Sequence, residues 1–167
     1  MAYNAAPNMK GKYDQGYYHL KNPDKYIGDP NKIIYRSSLE RKFCIKADLS
    51  SKIVKWGSEV VSIPYKGVDG RQHTYHIDFY AEVINNVSPT LNDKLLIEVK
   101  PHVESMRIIE NKVPEPPKKK TPTSLRNWEY AIKEYMKNKN KWIYAQEYAK
   151  KRGMKFLVVT EKLINNI

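Results

Sequence analysis

Asp78, Glu98 and Lys100 lie in two apolar, strand-like runs, Glu98 and Lys100 closing Leu95-Leu96-Ile97-Glu98-Val99-Lys100. An ionised group taken out of water without a partner is heavily penalised, so strand charges that are not simply solvated answer to a metal, a substrate or one another. Two carboxylates, with a lysine two residues along the same strand face, suit metal-assisted hydrolysis of a phosphodiester. That reaction needs the growing phosphate charge neutralised, a water activated and the leaving oxygen stabilised, and Mg2+ (or Mn2+) can serve all three. Magnesium takes oxygen ligands and retains several waters, so Asp78, Glu98 and the main-chain carbonyl of Val99 suffice as its protein ligands. Lys100 would orient the attacking water or balance charge in the transition state.

The tripeptide alone carries little, because acid-x-Lys occurs three times, at Glu40–Lys42, Glu98–Lys100 and Glu110–Lys112. The middle copy is set apart by its place at the end of an apolar strand, with an aspartate strand before it and Glu40 upstream. The competing reading is a same-face ion pair at a sheet edge, worth little to stability. Glu40 also reads two ways. It ends Ser37-Ser38-Leu39-Glu40 as a capping box would, or it faces the sheet and assists metal or water positioning. His73 and His76, three apart on a strand, face opposite ways and cannot ligate together there, while His76 shares the face of Asp78. His102 could meet a phosphate or sit solvated in a loop. No glycine-rich phosphate loop, nucleophilic serine elbow or zinc spacing occurs.

The positioning elements follow from periodicity. Leu39, Phe43 and Ala47 recur every fourth residue and predict a helix over 37–48. β-Branched and aromatic residues over 52–65 predict one strand or two short ones. Gly67, Asp69 and Gly70 mark a hairpin turn, followed by a strand over 72–84. On it Tyr75, Ile77, Phe79 and Ala81 share one face, and His76, Asp78 and Tyr80 the other. The strand over 94–100 places Leu95, Ile97 and Val99 on one face and Leu96, Glu98 and Lys100 on the opposite one. Residues 101–122 predict a stiff surface connector, Pro/Lys-rich over 110–122. A helix capped by Thr123 or Ser124 then carries Leu125, Trp128, Ile132 and Tyr135, continued by Trp142, Ala145 and Ala149 up to Gly153. A short strand follows over 155–160. A strand, a helical crossover and another strand pair in parallel, which predicts an α/β fold with a mixed central sheet flanked by helices.

With 167 residues, 41% hydrophobic and 29% charged, the chain can bury one sizeable core. Thirty Lys and Arg against 18 acidic residues give +12, which favours a polyanionic partner, most often nucleic acid. A solvated basic surface, or one facing an acidic protein or membrane, is the other reading. Between Lys118 and Arg152 eleven Lys and Arg stand against three glutamates. Lys118, Lys119, Lys120, Arg126, Lys133, Lys137 and Lys141 are the candidate DNA contacts, giving affinity without sequence readout; a solubilising helix face is the alternative. Cys44 is the only cysteine, so the chain has no intrachain disulfide and fits a reducing setting. No stretch approaches the roughly 20 apolar residues of a membrane span, and 1–12 lacks the apolar core of a signal peptide; a soluble, untargeted chain is expected. Residues 1–30, rich in Tyr, Asn, Pro and Gly, read as an extended N-terminal arm, either disordered or ordering on a partner or DNA. Residues 31–167 form the domain.

Glu40 on a first helix, then Ile77-Asp78-Phe79, then Glu98-Val99-Lys100 resembles the PD-(D/E)XK nuclease fold, in the branch typified by the transposon endonuclease TnsA. Over most of its length the chain looks more closely like the head-completion nucleases of T-even-type tailed phages. The stretches carrying this are Tyr26-Ile27-Gly28-Asp29-Pro30, Ile34-Tyr35-Arg36-Ser37, Trp56-Gly57-Ser58-Glu59, Ile63-Pro64-Tyr65, Lys141-Trp142, Ala145-Gln146, Lys151-Arg152-Gly153-Met154-Lys155-Phe156 and Thr160-Glu161. The resemblance implies a restriction-endonuclease-like core with Glu40, Asp78, Glu98 and Lys100 as its site, a divalent metal, and a role in finishing the DNA-filled head before tail joining. It also implies a place in the virion head or neck, and in the host cytoplasm during assembly. Portal, neck or capsid proteins would be partners, met through residues 1–30 and the basic connector. Ile77 stands where the name-giving motif has proline, a replacement such nucleases often tolerate. The alternative is a catalytically silent head or neck component that keeps the fold and binds DNA or neck subunits.

Overall fold

A computed structural model describes residues 14–87 and 91–164. In chain order the elements are β1 (Gly16–Tyr17), β2 (Ile34–Tyr35), α1 (Ser38–Leu49), β3 (Ile53–Ser58), β4 (Ser62–Lys66), β5 (Gln72–His76), β6 (Phe79–Ile84), β7 (Asn92–Val99), α2 (His102–Ile109), α3 (Pro122–Lys151) and β8 (Lys155–Val159). The central sheet runs β3-β6-β7-β8. The first two pairings are antiparallel and β7-β8 is parallel, as a helical crossover between two strands demands. The sheet is mixed and the fold is α/β.

Alternation along β7 divides the interior into two cores. Leu95, Ile97 and Val99 face α1 and pack with Phe43, Cys44, Ala47, Trp56, Phe79 and Ala81. Leu96, on the other face, packs with Ile63, Tyr65, Tyr75 and Ile77 and with Ala145 and Ala149 of α3. Burying each large apolar side chain contributes about 1.5–3 kcal/mol, so the sheet is held by layers on both faces.

The expected strand over 72–84 is two strands. β5 pairs with β4 as a separate two-stranded ribbon, and β6 joins the central sheet. Between them the Ile77 N–H donates to the Val61 carbonyl, and the Asp78 carbonyl accepts from the Glu59 N–H. Periodicity hides this break because odd-numbered residues are buried on both sides of it, Tyr75 and Ile77 in one core and Phe79 and Ala81 in the other.

The stretch expected as connector over 101–122 contains the helix α2, and beyond it 110–121 lack regular structure. Helix α3 starts two or three residues earlier than the Thr123 or Ser124 cap predicts. Thr121 is its N-cap, exchanging hydrogen bonds with Ser124, and Pro122 stands at its first position. It ends at Gly153, whose φ of +66° suits glycine. None of the described helices is long and apolar enough to cross a membrane.

Of the arm expected over 1–30, residues 1–13 lie outside the described residues, and residues 14–30 lie against the domain instead of extending from it. β1 pairs with β2. The Ile27 N–H donates to the Trp56 carbonyl and covers the outer edge of β3, at a spot where a Cβ on Gly57 would come within 2.7 Å of the Ile27 carbonyl oxygen. Asp48, wholly buried at the end of α1, accepts from the Tyr18 hydroxyl (2.9 Å) and from the Lys21 and Asn22 N–H groups (2.8 and 3.0 Å). The Lys25 ammonium donates to the carbonyls of Ala47, Asp48 and Ser50, satisfying the helix C-terminus.

Asp48→Ala strands three donors, and an urea unfolding curve at neutral pH should show a loss of about 3 kcal/mol. Burial raises the Asp48 carboxyl, but the bonds from Lys21, Tyr18 and Asn22 outweigh it and hold the group below its ordinary value. Its stabilisation is therefore present above the unfolded-state pKa and lost as pH falls through the folded one, so the gap between the variant and the unmutated protein should narrow in acid.

Candidate active site

Asp78 occupies the break between β5 and β6, and its Oδ2 accepts the Val99 N–H at 2.8 Å. Glu98, on β7, is 4% exposed. Its Oε2 accepts from the Tyr75 hydroxyl at 2.5 Å, and its Oε1 lies 3.6 Å from the Lys100 ammonium. Lys100 follows β7 immediately, and its N–H donates to the Val159 carbonyl, so β8 fixes its backbone. On its other side Lys100 borders a cleft of about 340 Å³ between α2 and α3, lined also by Glu104, Arg107, Tyr130 and Asn138.

Glu40 comes from the first turn of α1. Its carboxylate accepts from the Arg36 N–H (2.7 Å) and the Ser37 hydroxyl (3.1 Å), while Ser37 Oγ accepts the Glu40 N–H. The capping role is thus made. The same carboxylate also acts on Asp78, so capping does not remove it from the cluster. Arg36 binds Glu59 at 2.5 Å, and Glu59 holds a φ of +52°, a conformation costly for a non-glycine residue.

Electrostatics unites these groups. Burial, then the charges of Glu98 and Glu40, push the Asp78 carboxyl well above the usual carboxylate range. Burial also raises Glu40, with Glu98 adding to the effect and the bonds from Arg36 and Ser37 opposing it. At Lys100 burial works against the charge, but Glu98, Asp78 and Glu104 outweigh it and hold the ammonium above its ordinary value. Crowded, partly buried oxygen donors short of positive charge are what a hard divalent cation relieves. Among the described residues no group of three or more His, Cys, Asp or Glu is placed to hold a metal ion. One or two carboxylates with water and a phosphate can satisfy magnesium, and Asp78 and Glu98 would supply the carboxylates.

Of the expected site residues, Glu98 and Lys100 pair directly, Asp78 is bonded to the Val99 N–H between them, and Glu40 adds its charge to Asp78 and Glu98 from α1. Val99 sends its side chain into the core and its N–H to Asp78. Lys118, Lys119, Lys120, Arg126 and Lys133 are exposed. Lys137 pairs with Glu134, and Lys141 is half-buried, 4.8 Å from the centroid of the Tyr75 ring. His76 Nδ1 lies 2.8 Å from Ser62 Oγ, His73 pairs with Asp69, and the His102 N–H donates to Glu161. Sequence reasoning missed Tyr75 and the Arg36–Glu59 pair. Tyr75 alternates with Ile77 and so reads as core, and nothing in that pattern signals a hydroxyl aimed at a carboxylate.

Residues 50–161 match the family described as TnsA-like endonuclease N terminal, and the chain belongs to this endonuclease family. The match contains Asp78, Glu98 and Lys100 but not Glu40. The chain is also 34% identical over 147 residues to the head completion nuclease of Enterobacteria phage T4, covering 87% of this chain and 90% of that protein. It is a homologue of that nuclease.

Because the folded-state pKa of Asp78 is raised, the contribution of this one group to the stability of the metal-free protein is greatest below the ordinary carboxylate pKa and is lost as pH rises through the folded value. Asp78→Asn, which can still accept from Val99, removes that loss. Denaturant midpoints in chelator should favour the variant at about pH 8 and not at about pH 4; identical pH profiles would show that the carboxylates are not crowded.

Proposed function

We propose that the chain is a magnesium-dependent endodeoxyribonuclease of the PD-(D/E)XK type, acting in phage head completion after DNA packaging. The reading rests on the convergence of Asp78, Glu98 and Lys100, joined electrostatically by Glu40, in a member of an endonuclease family. Asp78, Glu98 and the Val99 carbonyl would hold Mg2+ or Mn2+. The ion supplies charge neutralisation at the phosphate and a water of lowered pKa. In the overall hydrolysis a water oxygen bonds to phosphorus, the phosphorus–oxygen bond to one deoxyribose breaks, and a proton ends on the departing oxygen. Lys100 orients the water or offsets charge on the phosphate. Tyr75 holds Glu98 through its hydroxyl, a supporting contact that keeps a metal-binding carboxylate in place. Glu40 adds negative charge from α1 and positions metal or water.

Lys118, Lys119, Lys120, Arg126, Lys133 and Lys137 engage the DNA backbone, so affinity is driven by phosphate and salt-sensitive. The protein works in the virion head or neck, and in the host cytoplasm during assembly, against DNA and portal, neck or capsid subunits. One observation favours a second reading, a catalytically silent head component: both Glu98 oxygens already face partners, Tyr75 and Lys100.

Incubation with linear and branched DNA, with magnesium or with chelator, separates the two. Cleavage should require the metal and fall by about 10²-fold or more in Asp78→Ala, Glu98→Ala and Lys100→Ala; binding without cleavage by the unmutated protein favours the silent component. Glu40→Gln keeps the acceptor for Arg36 and Ser37, so it should fold normally yet turn over more slowly. A normal rate would limit Glu40 to capping.

A further inference from the structure

The Lys141 ammonium has no carboxylate partner among the ion pairs of the described residues. It is half-buried and rests on the face of the Tyr75 ring, a contact that offsets part of its desolvation cost. Burial holds it below the ordinary lysine value, as do Lys137 and Lys100, while Glu98 and Asp78 act in the opposite sense. Two ammonium groups therefore act on Glu98, one from the end of β7 and one from α3. Lys133, Lys137 and Lys141 recur every fourth residue and share one face of α3, which also carries Tyr130, 67% exposed. Lys133, at the outer end of this row, is exposed. Lys137 is tied to Glu134, and Lys141 lies over the Tyr75 ring, whose hydroxyl holds Glu98. Of the two cations beside Glu98, Lys100 is paired with it, and Lys141 is left without an ion-pair partner of its own.

We propose that Lys141 contacts the scissile phosphate, as a second catalytic cation beside Lys100, and that Tyr75 positions it. This rests on the nuclease reading above. The Tyr75 ring supports Lys141 and its hydroxyl holds Glu98, so a single side chain sets the spacing between the second cation and the metal-binding carboxylate. A cation aimed at the reacting phosphate meets the extra charge that develops there. Its loss therefore appears in kcat, whereas loss of a cation that only tracks the backbone appears in affinity.

The test compares Lys141→Gln, Lys141→Arg and Lys133→Gln for kcat and KM on cleavable DNA, and for DNA affinity in chelator across a salt series. Lys141→Gln should lower kcat by about 10²-fold and change affinity in chelator by less than about threefold. Lys141→Arg should restore most of the rate. Lys133→Gln should keep kcat, weaken binding and flatten the salt slope by about one. Should Lys141→Gln fail to fold by its urea midpoint, Lys141→Met, which keeps the stem over Tyr75, carries the same expectation. A variant with unchanged kcat, or with a deficit confined to KM and salt slope, overturns this inference and leaves the nuclease reading standing. An unmutated chain that cleaves no DNA with any metal overturns both.

Discussion

The hydrogen bond from the Val99 N–H to Asp78 Oδ2 is the constraint on which the site depends. The antiparallel ladder between β6 and β7 stops where Phe79 meets Ile97, so the Val99 N–H lies beyond its last rung. A buried N–H left there would cost free energy comparable to a lost hydrogen bond. The carboxylate of Asp78 takes the place of the missing strand. In doing so it comes within reach of Glu98, the residue before Val99, and the repulsion that follows is a direct result of how the ladder ends.

The wall over this cluster is stiff. Tyr75 arrives on the β4-β5 ribbon, which is fixed to α3 by the Tyr65–Tyr144 ring contact and by the Asn140 amide donating to the Lys66 carbonyl. Ile63, Tyr65, Tyr75, Ala145 and Ala149 share one buried cluster. The ribbon and the C-terminal half of α3 thus behave as one packed body, and the Tyr75 hydroxyl is held at Glu98 by that packing.

Much of this was legible in the residues. The two faces of β7, the hairpin turn, the parallel pairing of the last strand and the grouping of Asp78, Glu98 and Lys100 all follow from alternation and from the cost of charge in a sheet. What was not legible depends on partners far along the chain. The break at Ile77 and Asp78 preserves the alternation of buried residues, so a period-two pattern runs through it unmarked. Residues 14–30 lack periodicity because they are held by distant groups, Asp48 above all, and not by a face of their own. Helix α2 sits in a stretch whose prolines suggest a loop, although those prolines flank it. Glu40 could not be divided between cap and site because its carboxylate makes the local bonds of the cap and also adds charge to Asp78.

The one parallel pairing also orders events in time. β7 ends at Val99 and its neighbour β8 begins only at Lys155, after α2 and α3. During synthesis β7 must wait, with one edge unpaired, until α2, α3 and β8 have emerged. Long-range pairings of this kind close late, because the entropy of the intervening loop is lost before the contact forms. Since the Lys100 backbone is anchored by Val159, the candidate site gains its last backbone support only with β8, and chains that stop before β8 lack it.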